Sequence, residues 1–553
     1  MYHKTFLTVW LASTFIFSVH AQTLRNPLDI PPLLSGNFGE LRANHFHSGL
    51  DFKTQGEEGK RVYAVRDGYV SRIVVSPWGY GNVVYVSHPV DSLTTVYAHL
   101  QRFAAEIADW VREKQYEAER FAVDLTLTPE QFPVDEGDVI GYSGNSGSSG
   151  GPHLHFEVRD LATDEPIDPL PFYRERIRDV RPPRVRAVMI HPVEGRGVVN
   201  GSAQKREQTP GETLEAWGRI GFSLCANDWM DGTTNVYGVR EISMFVDNEE
   251  VFHSRTDRFS FDETRYLNAW IDYERWREDR LFFVKMFVEP GNRLRFITGR
   301  DRGYLTITEP RVYYVSFLLA DAFGNMESVE LEITGKEQDI PQPDRRDTTP
   351  FFRTEDNHFG AKGIRLFIPA QSLYAHLDFR HTAIRDTTYL SDIHLLHDRP
   401  VPLHRPAQLS LFLLSEAQSI APHQYGIVSL RNGRSSWVGG TYRDGWIDAD
   451  IRELGVAYAV ASDTTPPRIT PVAPARWVSN EAIVFRLTDN LSGVETYRGT
   501  IDGTYALFEM DGKKSLIKYT FDSRRLSRGK HVLSLTVADA CGNTAVYETT
   551  FTW

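Results

Sequence analysis

The chain has 553 residues, 41% hydrophobic and 24% charged, with a net charge of −12. That length exceeds a single hydrophobic core and points to about three or four domains, and the ordinary composition excludes wholesale disorder. The acidic balance, with no basic stripe, excludes nucleic acid as the main partner.

Residues 1–21 read as a signal peptide. Lys4 gives a positive start, 6–19 form an apolar run, and Val19-His20-Ala21 resembles a small-residue cleavage site. An uncleaved anchor helix competes with this reading, but the run is short for a span. No later stretch is long and apolar enough to cross a membrane. The mature chain is therefore expected to have no membrane span and to be exported, to the periplasm, the outer membrane or the medium. Two cysteines, Cys225 and Cys541, are too few for a disulfide framework.

Residues 22–180 carry short β signals, many glycines and several oddly placed histidines. HFHSGLD (45–51) offers His45, His47 and Asp51. On an extended strand His47 and Asp51 would lie about 13 Å apart, too far to share a metal. Ser48-Gly49 predicts a turn that closes this gap. His45 is expected to be exposed or supporting, and His88, just before Pro89, to serve a turn. VYAHL (96–100) predicts a strand with Tyr97 and His99 on one face. Beyond it, Phe103, Ile107, Trp110, Val111, Ala118 and Phe121 fall at helical spacing. They predict a helical insertion over about 103–133, either covering exposed core or acting as a lid. GNSGSSGG (144–151) lacks the Gly-Lys-Ser/Thr ending of a phosphate loop and reads as a flexible rim.

Pro152 then opens a strand, HLHFEVR. His153, His155, Glu157 and Arg159 share one face, and Leu154, Phe156 and Val158 the other. The apolar set packs on the core and the two imidazoles, about 7 Å apart, face an opening. A histidine, a carboxylate and a second histidine make an open zinc site. Spacing alone does not decide whether His153 or His155 is the ligand. Glu157 is expected to hold a salt bridge or hydrogen bond rather than to act as a base.

Proline-rich punctuation follows: DVRPPRVRAV from Asp179, DTTPFF from Asp347 and DTTPPRITPV from Asp463. These read as extended linkers. An internal echo links 181–336 and 466–553. Asp228, Gly238-Val239, VDN and ADAFGN in the first correspond to Asp489, Gly493-Val494, IDG and ADACGN in the second, with a longer insert in the first copy. Both alternate between turn signals as sandwich strands do, and both resemble bacterial immunoglobulin-like modules. Residues 345–462 read as a further β-sandwich of unknown type. YAHLDF from Tyr374 repeats the Tyr97 motif without accompanying ligands and reads as coincidence.

In order, His47-x-x-x-Asp51, Tyr97-Ala98-His99-Leu100 and His153-x-His155 resemble the lysostaphin-type (LytM-like) zinc endopeptidases. VYAVRDGYV (62–70), GYGNVVYVSH (79–88) and GDVIGYSGNSG (137–147) are similar to that family's β-turn elements. The resemblance covers about residues 36–173. It implies one zinc ion on His47, Asp51 and His155, with His99 and His153 as an unliganded catalytic pair. It also implies the peptide cross-links of peptidoglycan as substrate, hydrolysed by metal-activated water. The expected fold is mainly β: an antiparallel β-sheet metallopeptidase domain followed by three β-sandwich domains, which would place the enzyme against the envelope or an envelope protein. The rival readings are an activator of other wall hydrolases and an adhesion protein acting through its sandwiches. All five positions are present, which favours the enzyme.

Overall fold

A computed structural model of the chain describes residues 23–209, 211–414 and 420–553. The expected signal segment lies outside them. The fold is mainly β, with about half of the residues in strands. No helix among the described residues is long and apolar enough to cross a membrane. Cys225 and Cys541 are both buried and unpaired with each other.

The N-terminal sheet is antiparallel. Its strands run in the order Leu34–Gly36, Leu50–Lys53, His153–Asp160, Leu93–Leu100, Asn82–His88, Gly68–Val75 and Val123–Thr126. The predicted alternation places His153–Asp160 centrally, with Leu154, Phe156 and Val158 fully buried on the core face. Its two neighbours carry the other motifs: His155 lies opposite Asp51 on one side and Ala98 on the other. Three sequence-distant motifs thus become adjacent through strand pairing alone.

The predicted helical insertion is shorter than its spacing suggested. The helix spans Ala105–Glu117 and buries Ile107 and Val111. Phe103 belongs to a short strand, Arg102–Phe103, and Val123–Thr126 and Pro133–Val134 pair with Gly68–Val75. Past Glu117 the pattern turns to alternation, and the open edge of Gly68–Val75 recruits it, since an unpaired edge leaves backbone groups unsatisfied.

The boundary near 180 divides the chain but not its core. One continuous apolar cluster runs from Leu24 through Ile333. The long insert of the second module includes the helices Leu267–Trp270 and Tyr273–Asp279. Phe259 from this insert stacks on Phe38 with ring centroids 5.2 Å apart and meets Phe46 at 5.3 Å, while Trp270 meets Phe46 at 6.0 Å. Burying each such ring contributes about 2–3 kcal/mol, enough to fix the second module against the first.

Residues 357–462 build an eight-stranded sheet. Residues 468–552 form two four-stranded sheets around Ile483, Phe485, Leu533 and Leu535. The echo seen in the sequence has a structural counterpart. Asp321 accepts from the backbone N–H of Phe323 and Asn325, and Asp539 from those of Cys541 and Asn543. Asn325 Nδ2 then donates to the Asp179 carbonyl and Asn543 Nδ2 to that of Asp463, tying each linker to its module.

Candidate metal centre

Gly49 makes the turn between His47 and Asp51 possible. A Cβ there would lie 2.2 Å from the Phe156 carbonyl oxygen, so only glycine lets this segment lie against the central strand. Gly49→Ala is expected to cost about 3 kcal/mol through backbone displacement, read as a lowered Tm. An unchanged Tm would show that the strand yields without strain.

The turn delivers His47 Nε2 to within 3.0 Å of Asp51 Oδ1 and 2.9 Å of His155 Nδ1, and His155 Nδ1 lies 2.9 Å from Asp51 Oδ1. All three residues are at most 5% exposed. Their outer contacts fix the tautomers. His47 Nδ1 lies 2.6 Å from the Asn37 carbonyl, which can only accept, so the proton sits there. His155 Nε2 lies 2.8 Å from the Glu157 carboxylate and carries its proton on that side. Arg42 donates to Asp51 Oδ2 at 2.7 Å, leaving Oδ1 free. Three lone pairs therefore converge with no donor among them, which is unfavourable without a cation. Ligand atoms about 2.0–2.1 Å from a tetrahedral zinc ion stand about 3.3 Å apart, close to what is found here. The donor set fits zinc.

His99 and His153 border this centre. Their ring centroids are 4.8 Å apart, and the His99 ring is 5.9 Å from that of His155. His153 Nε2 approaches Asp51 Oδ1 only to 3.4 Å, farther than His155. His99 Nδ1 donates to the Ser146 carbonyl at 2.9 Å, and His153 Nδ1 to that of Gly151 at 2.8 Å. Each imidazole thus carries its proton on Nδ1 and turns Nε2 toward the centre, that of His153 lying 3.4 Å from Asp51 Oδ1. Burial, reinforced by the neighbouring His155 and His153, pushes His99 down to about 3, so it stands neutral near neutrality.

The expectation that Tyr97 and His99 share a face is corrected. Tyr97 is fully buried against Phe156 and accepts from the Thr95 hydroxyl and from the Val65 N–H. His99 points the other way. Register shifts between Asn82 and Val84, adding a residue on the Leu93–Leu100 strand, and His99 has a φ of 59°. This bulge, with a left-handed backbone rare for a non-glycine residue, turns the imidazole from the core to the site.

Sequence reasoning gave Glu157 only a generic role and overlooked Ser48 and Tyr80. Glu157 is fully buried and accepts from His155, from Ser48 and Tyr80 at 2.5 Å each, and from Arg159 Nε at 2.6 Å. Burial would raise its carboxyl, but the Arg159 guanidinium and His155 outweigh it and hold it far below the ordinary range. Tyr80 also stacks on the His155 ring. The H-x-H-x-E-x-R alternation was the available signal, since all four side chains share a strand face. His45 is exposed with Nδ1 on the Ala43 carbonyl. His88 is buried, bonded to the Asp67 carbonyl and Thr95. Neither joins the centre.

An antiparallel sheet presenting a buried His/Asp/His centre is a candidate site for a divalent metal ion. Residues 45–119 match peptidase family M23, and residues 348–463 match a Zu5-like domain. The chain is 31% identical over 130 residues to the DD-carboxypeptidase/endopeptidase Mpg of Neisseria meningitidis serogroup B, covering 24% of this chain and 23% of that protein. It is 27% identical over 165 residues to an uncharacterized metalloprotease of Haemophilus influenzae, covering 28% and 29% respectively. The chain spans about a quarter of the length of these curated relatives. Among solved structures, the catalytic domain of lysostaphin from Staphylococcus simulans is 24% identical, covering 25% of this chain and 89% of that one, with a TM-score of 0.19. A zinc containing peptidase from Vibrio cholerae is 24% identical, covering 27% and 38%, with a TM-score of 0.19. The chain carries a peptidase M23 domain.

Proposed function

We propose that the protein is an exported zinc-dependent endopeptidase that hydrolyses the peptide cross-links of bacterial peptidoglycan. The observation that carries this reading is the convergence of three potential ligand atoms from His47, Asp51 and His155 within 3.0 Å of one another. Bound there, zinc would supply Lewis acidity that polarises a carbonyl and acidifies water. The similarity to a named DD-carboxypeptidase/endopeptidase supports a peptide substrate.

The protein's own groups do the remaining work. His99 and His153, each with Nδ1 on a backbone carbonyl, can take a proton at Nε2. Once protonated, the same nitrogen donates to a developing oxyanion or to the leaving amine. Arg42 holds the outer oxygen of Asp51, and Glu157 holds the His155 ring in one tautomer.

His99→Ala is expected to keep zinc at about one ion per chain and to lower turnover of purified sacculi about 10²–10⁴-fold. Metal analysis and fragment release measure the two effects separately. Loss of zinc in this variant would contradict the division of roles, and unchanged fragment release would remove His99 from the mechanism.

A further inference from the structure

The last module returns to the peptidase domain and meets it beside the metal centre. Its basic side chains pair with the acidic face of the helix Ala105–Glu117 and the turn after it. Arg525 bonds both Glu113 oxygens at 2.6 Å, Arg524 reaches Asp109 at 3.3 Å, and Arg498 reaches Glu119 at 2.6 Å. This seats the turn Gly512–Lys514 on the rim of the site, with Gly512 so close to Trp78 that a Cβ would lie 2.7 Å from the indole. The helix covers the core with Ile107 and Val111, and its outer face is a docking platform for the last module.

Lys513 Nζ donates to the Asn145 carbonyl at 2.5 Å, to Asn145 Oδ1 at 3.0 Å and to the Ser149 carbonyl at 2.8 Å. All three protons of the ammonium are thereby used, on both limbs of one loop. That loop, 144–151, contains nothing larger than asparagine, so side-chain packing does little to hold it. It nonetheless carries the anchors of both unliganded histidines. The Ser146 carbonyl accepts from His99 Nδ1, and the Gly151 carbonyl accepts from His153 Nδ1, with Ser149 Oγ 3.2 Å away. On its other side, Gly147 has a φ of 67° and lies against Gly81, where a Cβ would be 2.3 Å from the Gly81 nitrogen.

We propose that Lys513 is a positioning residue of the peptidase site: it clamps the 144–151 loop and so fixes the orientation of His99 and His153, making the last module part of the working site. This rests on the endopeptidase reading for its effect on rate, but not for the clamp itself.

The test compares full-length wild type, Lys513→Ala, Lys513→Arg and Arg525→Ala. Zinc content, kcat and KM on a soluble cross-linked peptide, and amide hydrogen exchange across 144–151 are the readouts. Lys513→Ala is expected to keep its zinc, to speed exchange in that loop, and to lower kcat about 10- to 100-fold with KM changed far less. Lys513→Arg, which still donates to both carbonyls, should recover most of kcat. Arg525→Ala removes one of the three ion pairs that dock the module and leaves the Lys513 contacts in place, so it should lower kcat and speed loop exchange clearly less than Lys513→Ala. Unchanged or increased kcat in Lys513→Ala would overturn the proposal, an increase marking the module as a latch instead. A loss in Arg525→Ala equal to that in Lys513→Ala would also overturn it, because docking alone would then explain the effect. If zinc-loaded wild type cleaves nothing, the endopeptidase reading falls, and loop exchange decides the clamp: faster exchange in Lys513→Ala upholds it, and no change overturns it.

Discussion

Replacing His155 with alanine is expected to strip the protein of its metal. The change removes one of three lone pairs from the centre, and a two-ligand remnant of His47 and Asp51 does not hold zinc at low free concentration. The fold should survive, because Glu157 keeps Ser48, Tyr80 and Arg159 as partners. Zinc content should fall from about one per chain to near zero, with fragment release at the detection limit and the circular dichroism spectrum preserved. The matching His153→Ala variant should keep its zinc, since its imidazole stands 3.4 Å from Asp51 and is committed to the Gly151 carbonyl. Zinc retained in His155→Ala and lost in His153→Ala would exchange the two roles.

Glu157→Ala should have the next largest effect, on two properties at once. Without the carboxylate, the His155 ring loses the acceptor that sets its tautomer, and zinc affinity should weaken about 10- to 100-fold. Arg159, whose side chain is 4% exposed, would keep the exposed Asp164 as its remaining ion-pair partner and the rings of Tyr85 and Phe261 beneath its guanidinium. Breaking a buried pair on one side costs about 3–5 kcal/mol, reduced here by those remaining contacts. Chelator competition reads the first effect and thermal unfolding of metal-free protein the second. Glu157→Gln keeps the volume and an acceptor oxygen, so it should fold better than the alanine variant while still binding zinc more weakly than wild type. Wild-type zinc affinity in both variants would show that the Glu157 network does not tune the centre.

The parts of the site that depend on local chemistry were legible in the sequence. His153-x-His155 alternates on a strand, and Ser48-Gly49 closes the span from His47 to Asp51, as the separations of 3.0 and 2.9 Å between their ligand atoms show. The mainly β fold followed from the same alternation. Features that depend on departures from a repeat or on distant partners were hidden. A period-two reading puts His99 beside Tyr97, and nothing in VYAHL announces the bulge and left-handed backbone that separate them. Helical spacing over 103–121 overlooked the demand of the Gly68–Val75 edge for a partner, which draws Val123–Thr126 into the sheet. The link between Lys513 and Asn145 spans 368 positions, and the shared core joins residues on both sides of a proline-rich linker. Such contacts belong to the tertiary fold and leave no local pattern.

Digestion of purified sacculi by the full-length protein, with mass analysis of the released peptides, tests the central claim most directly. Zinc-loaded protein should release fragments bearing new amino and carboxyl termini at a peptide cross-link, lose this activity in a chelator, and regain it when zinc is restored. Equal release in the presence and absence of the chelator, or no release from protein holding one zinc ion per chain, would contradict the account.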